Sequence, residues 1–321
     1  MTRQLEAAER PTFYFIGVTT AQSSIMRVFP EWAQYLQLGD CEIRGIDFPI
    51  ETDPSDYRDA IAFIKGDPLS LGALVTTHKI NLFKDCRDLF DEIDPHAELM
   101  GETSCLSKRN GRLICHAKDP ISSGLALNGF VPDNHFADTE ASVFIMGAGG
   151  SAMAMSWHLT QPSKGKDRPT EVIISDPDPD RLGHIDKIAG QLSPDIPIRL
   201  VRTEDEQTND RVLSTLPPAS LVVNATGLGK DRPGSPLTAP EFPSRALVWE
   251  LNYRGELDFL AQARAQENDR ALHVEDGWTY FIHGWSCVIA EVFDVDIPSA
   301  GPVFEQMSSI AQGARHAGKA S

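Results

Sequence analysis

Short apolar runs alternate with amphipathic stretches along most of the chain. FYFIGV (13–18), EIRGIDF (42–48) and GALVTT (72–77) read as strands, each bounded by polar or Gly/Pro punctuation. Between and after them, SIMRVFPEWAQYLQL (24–38) predicts a helix interrupted near Pro30. PSDYRDAIAFIKG (54–66) predicts a helix capped by Ser55, and KINLFKDCRDLFDEI (79–93) a third. ETSCLSKRNGRLICH (102–116) reads as a hairpin, because Asn110-Gly111 is a type I′ turn signal between two short apolar runs.

A looser segment (118–141) follows, and the alternation then restarts. SVFIMG (142–147), EVIISD (171–176), IRLV (198–201), SLVVNAT (220–226) and ALVWEL (246–251) read as strands. The helical stretches are 149–160, 179–192, 257–268, 276–293 and 301–318. Strands alternating with helices imply parallel sheets joined by crossovers. The predicted class is therefore α/β in two domains. After a tail (1–12), the first alternation spans 13–119 and the second, which reads as a doubly wound sheet, spans 120–275, with closing helices over 276–321.

Length and charge narrow the function. At 321 residues, two domains is the natural count. A net charge of −17 repels phosphate backbones and anionic lipid, so neither nucleic acid nor a membrane is an expected partner. No apolar stretch is long enough to span a bilayer, and MTRQLEAAERPT has no signal-peptide core. Cys41, Cys86, Cys105, Cys115 and Cys287 are scattered without metal spacing, which fits reduced, buried thiols in a cytoplasmic monomer or homodimer. No metal is expected: the histidines lack ligand spacing.

The most specific motif is GAGGSA between a strand and a helix. Gly147 permits the tight turn, Gly149 lets a pyrophosphate approach the backbone, and Ala152 lets the helix pack close. Gly150 and Ser151 open the helix whose N–H groups face the phosphates. The next strand ends in Asp176, placed to accept hydrogen bonds from ribose hydroxyls and to repel a 2′-phosphate, or else to cap the following helix. Pro177 and Asp178 add no cation. NAD is expected over NADP. Asn224 and Thr226 of NATGLG (224–229) lie at the nicotinamide half.

These pieces, together with GVTTAQSS, VTTHK, GETSCL, GRLICHAKD, ELNY and DGWTYFIHG in order along residues 13–295, resemble the shikimate/quinate dehydrogenase family. The resemblance implies an N-terminal α/β substrate-binding domain (13–119) completed by helices from 276–321, a Rossmann dinucleotide-binding domain (120–275) with a cleft between the two, and an NAD(P)-dependent oxidoreductase acting on a secondary alcohol. It places a catalytic lysine at Lys79, where a strand gives way to a helix, and its partner aspartate at Asp119. It carries substrate contacts to Ser23, Thr76, Ser104, Tyr253 and His283, and a backbone approach to nicotinamide at Gly277.

The pocket departs from the family's pattern. The proline of V-T-x-P-x-K is absent, the second serine of Ser-x-Ser is Ile25, an asparagine is Ser104, the N-T before the aspartate is Ala117-Lys118, and a glutamine is Gly284. Buried polar contacts carry most discrimination, so the expected substrate is a shikimate-like cyclic polyol or hydroxy acid rather than shikimate. Arg27 and Lys118 are the cations available for a relocated carboxylate, against the plainer reading of exposed surface charges. The aromatic residues of 278–285 form either a substrate wall or helix-packing core. Two competing functions are a catalytically silent metabolite sensor, and a lyase or isomerase that uses bound NAD internally.

Overall fold

A computed structural model describes residues 5–230 and 232–317. They divide into two compact units, one made of residues up to 118 together with those from 284 onward, the other of 119–283.

In the first unit, β1 (Thr12–Gly17), α1 (Ile25–Tyr35), β2 (Glu42–Asp47), α2 (Pro54–Gly66), β3 (Ser70–Val75) and α3 (Lys79–Cys86) alternate along the chain. Then come β4 (Glu92–Ile93), α4 (Pro95–Met100), β5 (Cys105–Arg109) and β6 (Arg112–His116). The sheet order is β2-β1-β3-β5-β6-β4. β1 runs parallel to β2 and β3, whereas β3/β5 and β5/β6 are antiparallel, so this sheet is mixed. The β5–β6 turn has Asn110 at φ 53° and Gly111 at φ 76°, the left-handed pair that a type I′ hairpin needs.

Three local expectations change. α1 runs through Pro30 unbroken; its buried face of Ile25, Val28, Phe29, Trp32 and Ala33 holds it despite the missing N–H. The cap of α2 is Asp53, not Ser55: the Asp53 carboxylate accepts from the Ser55 N–H at 2.9 Å, and Pro54 takes the first helical position. The helix expected over 79–93 stops at Cys86, passes through a 3₁₀ turn (Arg87–Leu89) and gives way to β4.

The second unit opens with α5 (Asp119–Asn128) and α6 (His135–Thr139), inside the segment expected to be loose. β7 (Val143–Met146), α7 (Gly150–Thr160), β8 (Val172–Asp176), α8 (Pro179–Leu192), β9 (Ile198–Arg202), α9 (Thr208–Leu213) and β10 (Leu221–Asn224) follow. β11 (Leu247–Glu250), α10 (Asp258–Arg264), α11 (Glu267–Arg270) and β12 (His273–Glu275) complete the sheet. It is wholly parallel, ordered β12-β11-β10-β7-β8-β9. That is the doubly wound dinucleotide-binding order, and it reverses between β7 and β10. β7 and β10 are buried throughout, as central parallel strands covered on both faces must be.

α12 (Trp278–Phe293) and α13 (Pro302–Ala317) end the described chain. Residues 278–283 cluster with the second unit rather than with the first, where the sequence reading puts them. The remainder of α12 and all of α13 supply core to the first unit. Phe13 meets Trp285 (ring centroids 6.1 Å apart), Phe29 meets Phe293 (6.0 Å), and the Trp32 indole N–H donates to the Met307 carbonyl at 2.9 Å. The Arg109 guanidinium donates to the carbonyls of Glu291 and Val292, satisfying the last turn of α12.

The five cysteines are free; Cys86, Cys105 and Cys115 are buried, but Cys41 and Cys287 are half-buried rather than sealed in core. No helix among the described residues is long and apolar enough to cross a membrane.

Candidate active site

The glycine turn sits at the carboxyl end of β7. Gly147 has φ 105°, and a methyl group there would lie 2.7 Å from the Ala225 carbonyl oxygen, so glycine is required both by conformation and by the closeness of the β10 loop. Gly149 caps α7 with no side-chain hydrogen bond, and a methyl on it would meet nothing within 4 Å. That open space lies over the helix N-terminus, where N–H groups and the macrodipole favour an anion. Ala152 is fully buried, and Gly150 and Ser151 form the half-exposed first turn.

Asp176 ends β8, nearly buried. Its Oδ2 accepts from Ala148 N–H at 2.8 Å and its Oδ1 from Asp178 N–H at 2.9 Å, so this carboxylate fixes the glycine turn. It does not cap α8; Asp178 does, accepting from Asp180 N–H. Asp176 also lines a cavity of about 820 Å³ whose walls include Glu204, Asp205, Glu206, Thr226 and Asp258. Arg181 comes within 3.9 Å of Asp176 but is 56% exposed and lies as near to Asp178.

Asn224 is fully buried, and its side chain is already engaged. Its Nδ2 donates to Glu250 Oε2 at 2.7 Å, and its Oδ1 accepts from the Thr226 N–H and hydroxyl. Thr226 Oγ in turn accepts from Leu228 N–H at 3.1 Å. Gly277 packs on the β11 loop: its N–H donates to the Asn252 carbonyl at 3.1 Å, and a methyl on it would overlap the Leu251 carbonyl. Glu250 belongs to ELNY, where the resembled family usually has an aspartate, and the sequence gives it no site role. Burial pushes its carboxyl up to about 7, against the pull of its hydrogen bonds from Asn252 and Asn224 and of Lys230.

A raised carboxyl pKa means that the folded state holds this proton more tightly than the unfolded state between pH 4.5 and 7. Its contribution is therefore fully present below the unfolded value near 4.5 and is lost as pH rises through about 7. The stability of the native chain relative to Glu250→Gln is expected to fall by roughly 3 kcal/mol over that window. Urea titrations at a series of pH values measure it, and a pH-independent difference would contradict the assignment.

In the first unit, the residues expected at the substrate gather at the carboxyl ends of β1 and β3. Thr76 N–H donates to Ile16 carbonyl at 2.9 Å, and Val75 N–H to Ser104 carbonyl at 2.9 Å. Lys79 opens α3, half-buried, and its carbonyl accepts from Thr103 N–H at 3.1 Å. Ser104 Oγ accepts from Lys118 N–H at 2.7 Å. Ser23 is nearly buried in the turn before α1, and Ile25 lies wholly in the core of that helix. Before Lys79, the Tyr57 hydroxyl pairs with His78 Nδ1 at 2.7 Å, and burial lowers the His78 pKa, so this ring is neutral at pH 7.

Thr77 sits at φ 62°, a left-handed conformation that a β-branched residue rarely adopts. This strained residue lies two positions before Lys79. Because Thr77 is exposed, Thr77→Gly is expected to raise stability by about 1 kcal/mol in chemical denaturation. A loss of stability would show that the threonine side chain outweighs its backbone cost.

Lys118 is neither an exposed charge nor available for a substrate carboxylate. Its Nζ pairs with Glu291 at 2.6 Å with only 14% of its side chain exposed. Arg27 is exposed on α1. Asp119 opens α5 in the second unit, nearly buried, and its carbonyl accepts from the Ser123 hydroxyl at 2.6 Å. The aromatic residues of α12 serve largely as packing. Trp278 stacks on Phe281, Tyr253 meets the first edge-on and the second at a tilt, and Trp285 packs on Phe13 and Phe15. Tyr280 is an exception with a polar reach: its hydroxyl lies 3.2 Å from Ser151 Oγ, at the start of α7. His283 is buried, and burial lowers its pKa to about 4, so it is neutral at pH 7.

No protein-family model matches the chain. A shikimate dehydrogenase (NADP(+)) of Streptococcus thermophilus is 29% identical over 180 residues; the match spans 55% of this chain and 58% of that protein. The shikimate dehydrogenase of Aquifex aeolicus superposes with a TM-score of 0.70 at 17% identity, covering 97% of this chain and 99% of that one. The Thermus thermophilus enzyme, solved with NADP(H) and shikimate, gives 0.66 at 21% identity over 94% and 99%. The two-unit α/β fold and the sequence match converge: the chain has the fold of these shikimate dehydrogenases and is similar in sequence to part of one, spanning a little over half of that protein's length.

Proposed function

We propose that the protein is an oxidoreductase that uses a nicotinamide cofactor, NAD in preference to NADP, on a secondary alcohol of a shikimate-like cyclic polyol or hydroxy acid other than shikimate. The observation that carries this reading is the Gly147 turn, tied to Asp176 beside the strand-order reversal of a doubly wound sheet. Gly147, Gly149, Gly150 and Ser151 would hold the pyrophosphate, and Asp176 the adenosine ribose.

A bound nicotinamide accepts or supplies hydride; the chain must handle the accompanying proton. Lys79, as an ammonium hydrogen-bonded to the substrate oxygen, supplies that proton or, as the amine, removes it, and Asp119 orients the amine. Of the relatives named above, the Streptococcus thermophilus one is called NADP(+)-dependent and the Thermus thermophilus one was solved with NADP(H). Here the acidic wall argues the other way: a 2′-phosphate at ~4 Å from the Asp176 carboxylate costs about 4 kcal/mol at an effective dielectric near 20, and exposed Arg181 offsets only part of it. The divergence from shikimate rests on Ile25 being core and on Lys118 being committed to Glu291.

The deciding assay follows absorbance at 340 nm with NAD or NADP against shikimate, quinate, inositols and sugar acids. Turnover with NAD on a substrate other than shikimate is expected, with kcat/KM at least about tenfold above that with NADP. Turnover with NADP alone would overturn the role given to Asp176, and efficient turnover of shikimate would overturn the substrate reading.

A further inference from the structure

Two residues of the proposed cofactor half converge on one buried carboxylate through three hydrogen bonds. Glu250, at the end of β11, is 0% exposed. Its Oε1 accepts from the Asn252 N–H at 2.8 Å and from Asn252 Nδ2 at 2.7 Å, while its Oε2 accepts from Asn224 Nδ2 at 2.7 Å. Asn224 passes the constraint on through Thr226 to Leu228, and the Leu228 carbonyl accepts from Asn252 Nδ2 at 3.1 Å, closing a ring between the β10 and β11 loops. The ring touches both glycines assigned to the cofactor. The Ala225 carbonyl stands against Gly147, and the Leu251 and Asn252 carbonyls stand against Gly277.

A doubly wound sheet takes one mononucleotide on each half, divided where the strand order reverses. Asp176 ends β8, on the β7–β9 side; the Glu250 ring lies on β10, β11 and the loops that follow them, and only its Thr226 and Leu228 reach the wall of the acidic cavity. We propose that Glu250 is a positioning residue for the nicotinamide half alone: it sets the Asn224–Gly229 loop and the Leu251–Tyr253 loop at one fixed spacing from Gly147. This rests on the dinucleotide reading above. The charge matters because three donors aim at it. Glu250→Gln keeps the shape but turns an acceptor into an N–H₂ group facing another donor, and leaves one buried group unsatisfied.

Titrations of native protein, Glu250→Gln and Glu250→Asp with NADH, by its fluorescence, and with AMP, by calorimetry, separate the halves. Glu250→Gln is expected to weaken NADH about tenfold and to leave AMP within about twofold, with Glu250→Asp intermediate for NADH. Unchanged NADH affinity in Glu250→Gln would overturn the proposal while leaving the dinucleotide reading intact. Parallel losses for NADH and AMP would also overturn it, since they report general loosening. Native protein that binds neither would overturn both readings. If Glu250→Gln does not fold, Asn252→Ala removes two of the ring's hydrogen bonds and carries the same test, with the same outcomes.

Discussion

Lys79→Ala is expected to lower kcat by about 10²–10⁴-fold while NADH affinity stays within about twofold of native. The lysine stands at the first position of α3, held by its own carbonyl to Thr103 and preceded by a histidine locked to Tyr57. In the proposed reaction its ammonium serves the substrate oxygen, and none of its assigned work concerns the dinucleotide. The loss should therefore fall on turnover, not on cofactor. Lys79→Arg keeps the charge but cannot give up its proton in the working pH range, so it should be nearly as inactive. Stopped-flow hydride transfer and NADH titration measure the two sides. Turnover within a few-fold of native in Lys79→Ala would remove the acid/base assignment, whatever happens to binding.

Gly147→Ala is expected to destabilise the second unit by about 3 kcal/mol and to abolish measurable NADH binding. Two separate costs add there: a left-handed backbone at φ 105°, and a methyl group 2.7 Å from a carbonyl oxygen of the next loop. Gly149→Ala is the informative companion. Its methyl meets no protein atom within 4 Å, so the fold should be nearly unaffected, whereas a pyrophosphate drawn to the α7 N-terminus would collide with it. Thermal unfolding should move only in the first variant, and NADH affinity should collapse in both. Native affinity in Gly149→Ala would place the phosphates elsewhere.

Much of the second unit was legible because central parallel strands leave continuous apolar runs, and because a glycine turn between strand and helix has few other uses. α5 was not legible, for a physical reason. Asp119, Ser122, Ser123 and Gly124 are buried while the apolar Ile121 is exposed, so polarity along the segment does not follow burial and gives no helical period. The two serine hydroxyls are accommodated by bonding back to the Asp119 carbonyl, which sequence cannot reveal. Lys118 read as a surface charge because its partner, Glu291, is distant in the chain. Glu250 of ELNY carries no role in the sequence on the same ground: the asparagines that give it meaning come together only when β10 and β11 pair. Lys79 and the glycines, by contrast, are signalled by neighbours in sequence.

The first unit takes part of its interior from the far end of the chain: Trp285, Phe293 and the Met307 carbonyl that holds Trp32. During synthesis, then, its opening segments must wait, incompletely covered, while the intervening residues 119–283 leave the ribosome. At about 5–20 residues per second this interval is roughly ten to thirty seconds. The nascent chain would ripen from the middle outward, with the continuous unit finished first, and a ribosome stalled before Trp285 would leave a half-built neighbour for chaperones to shield.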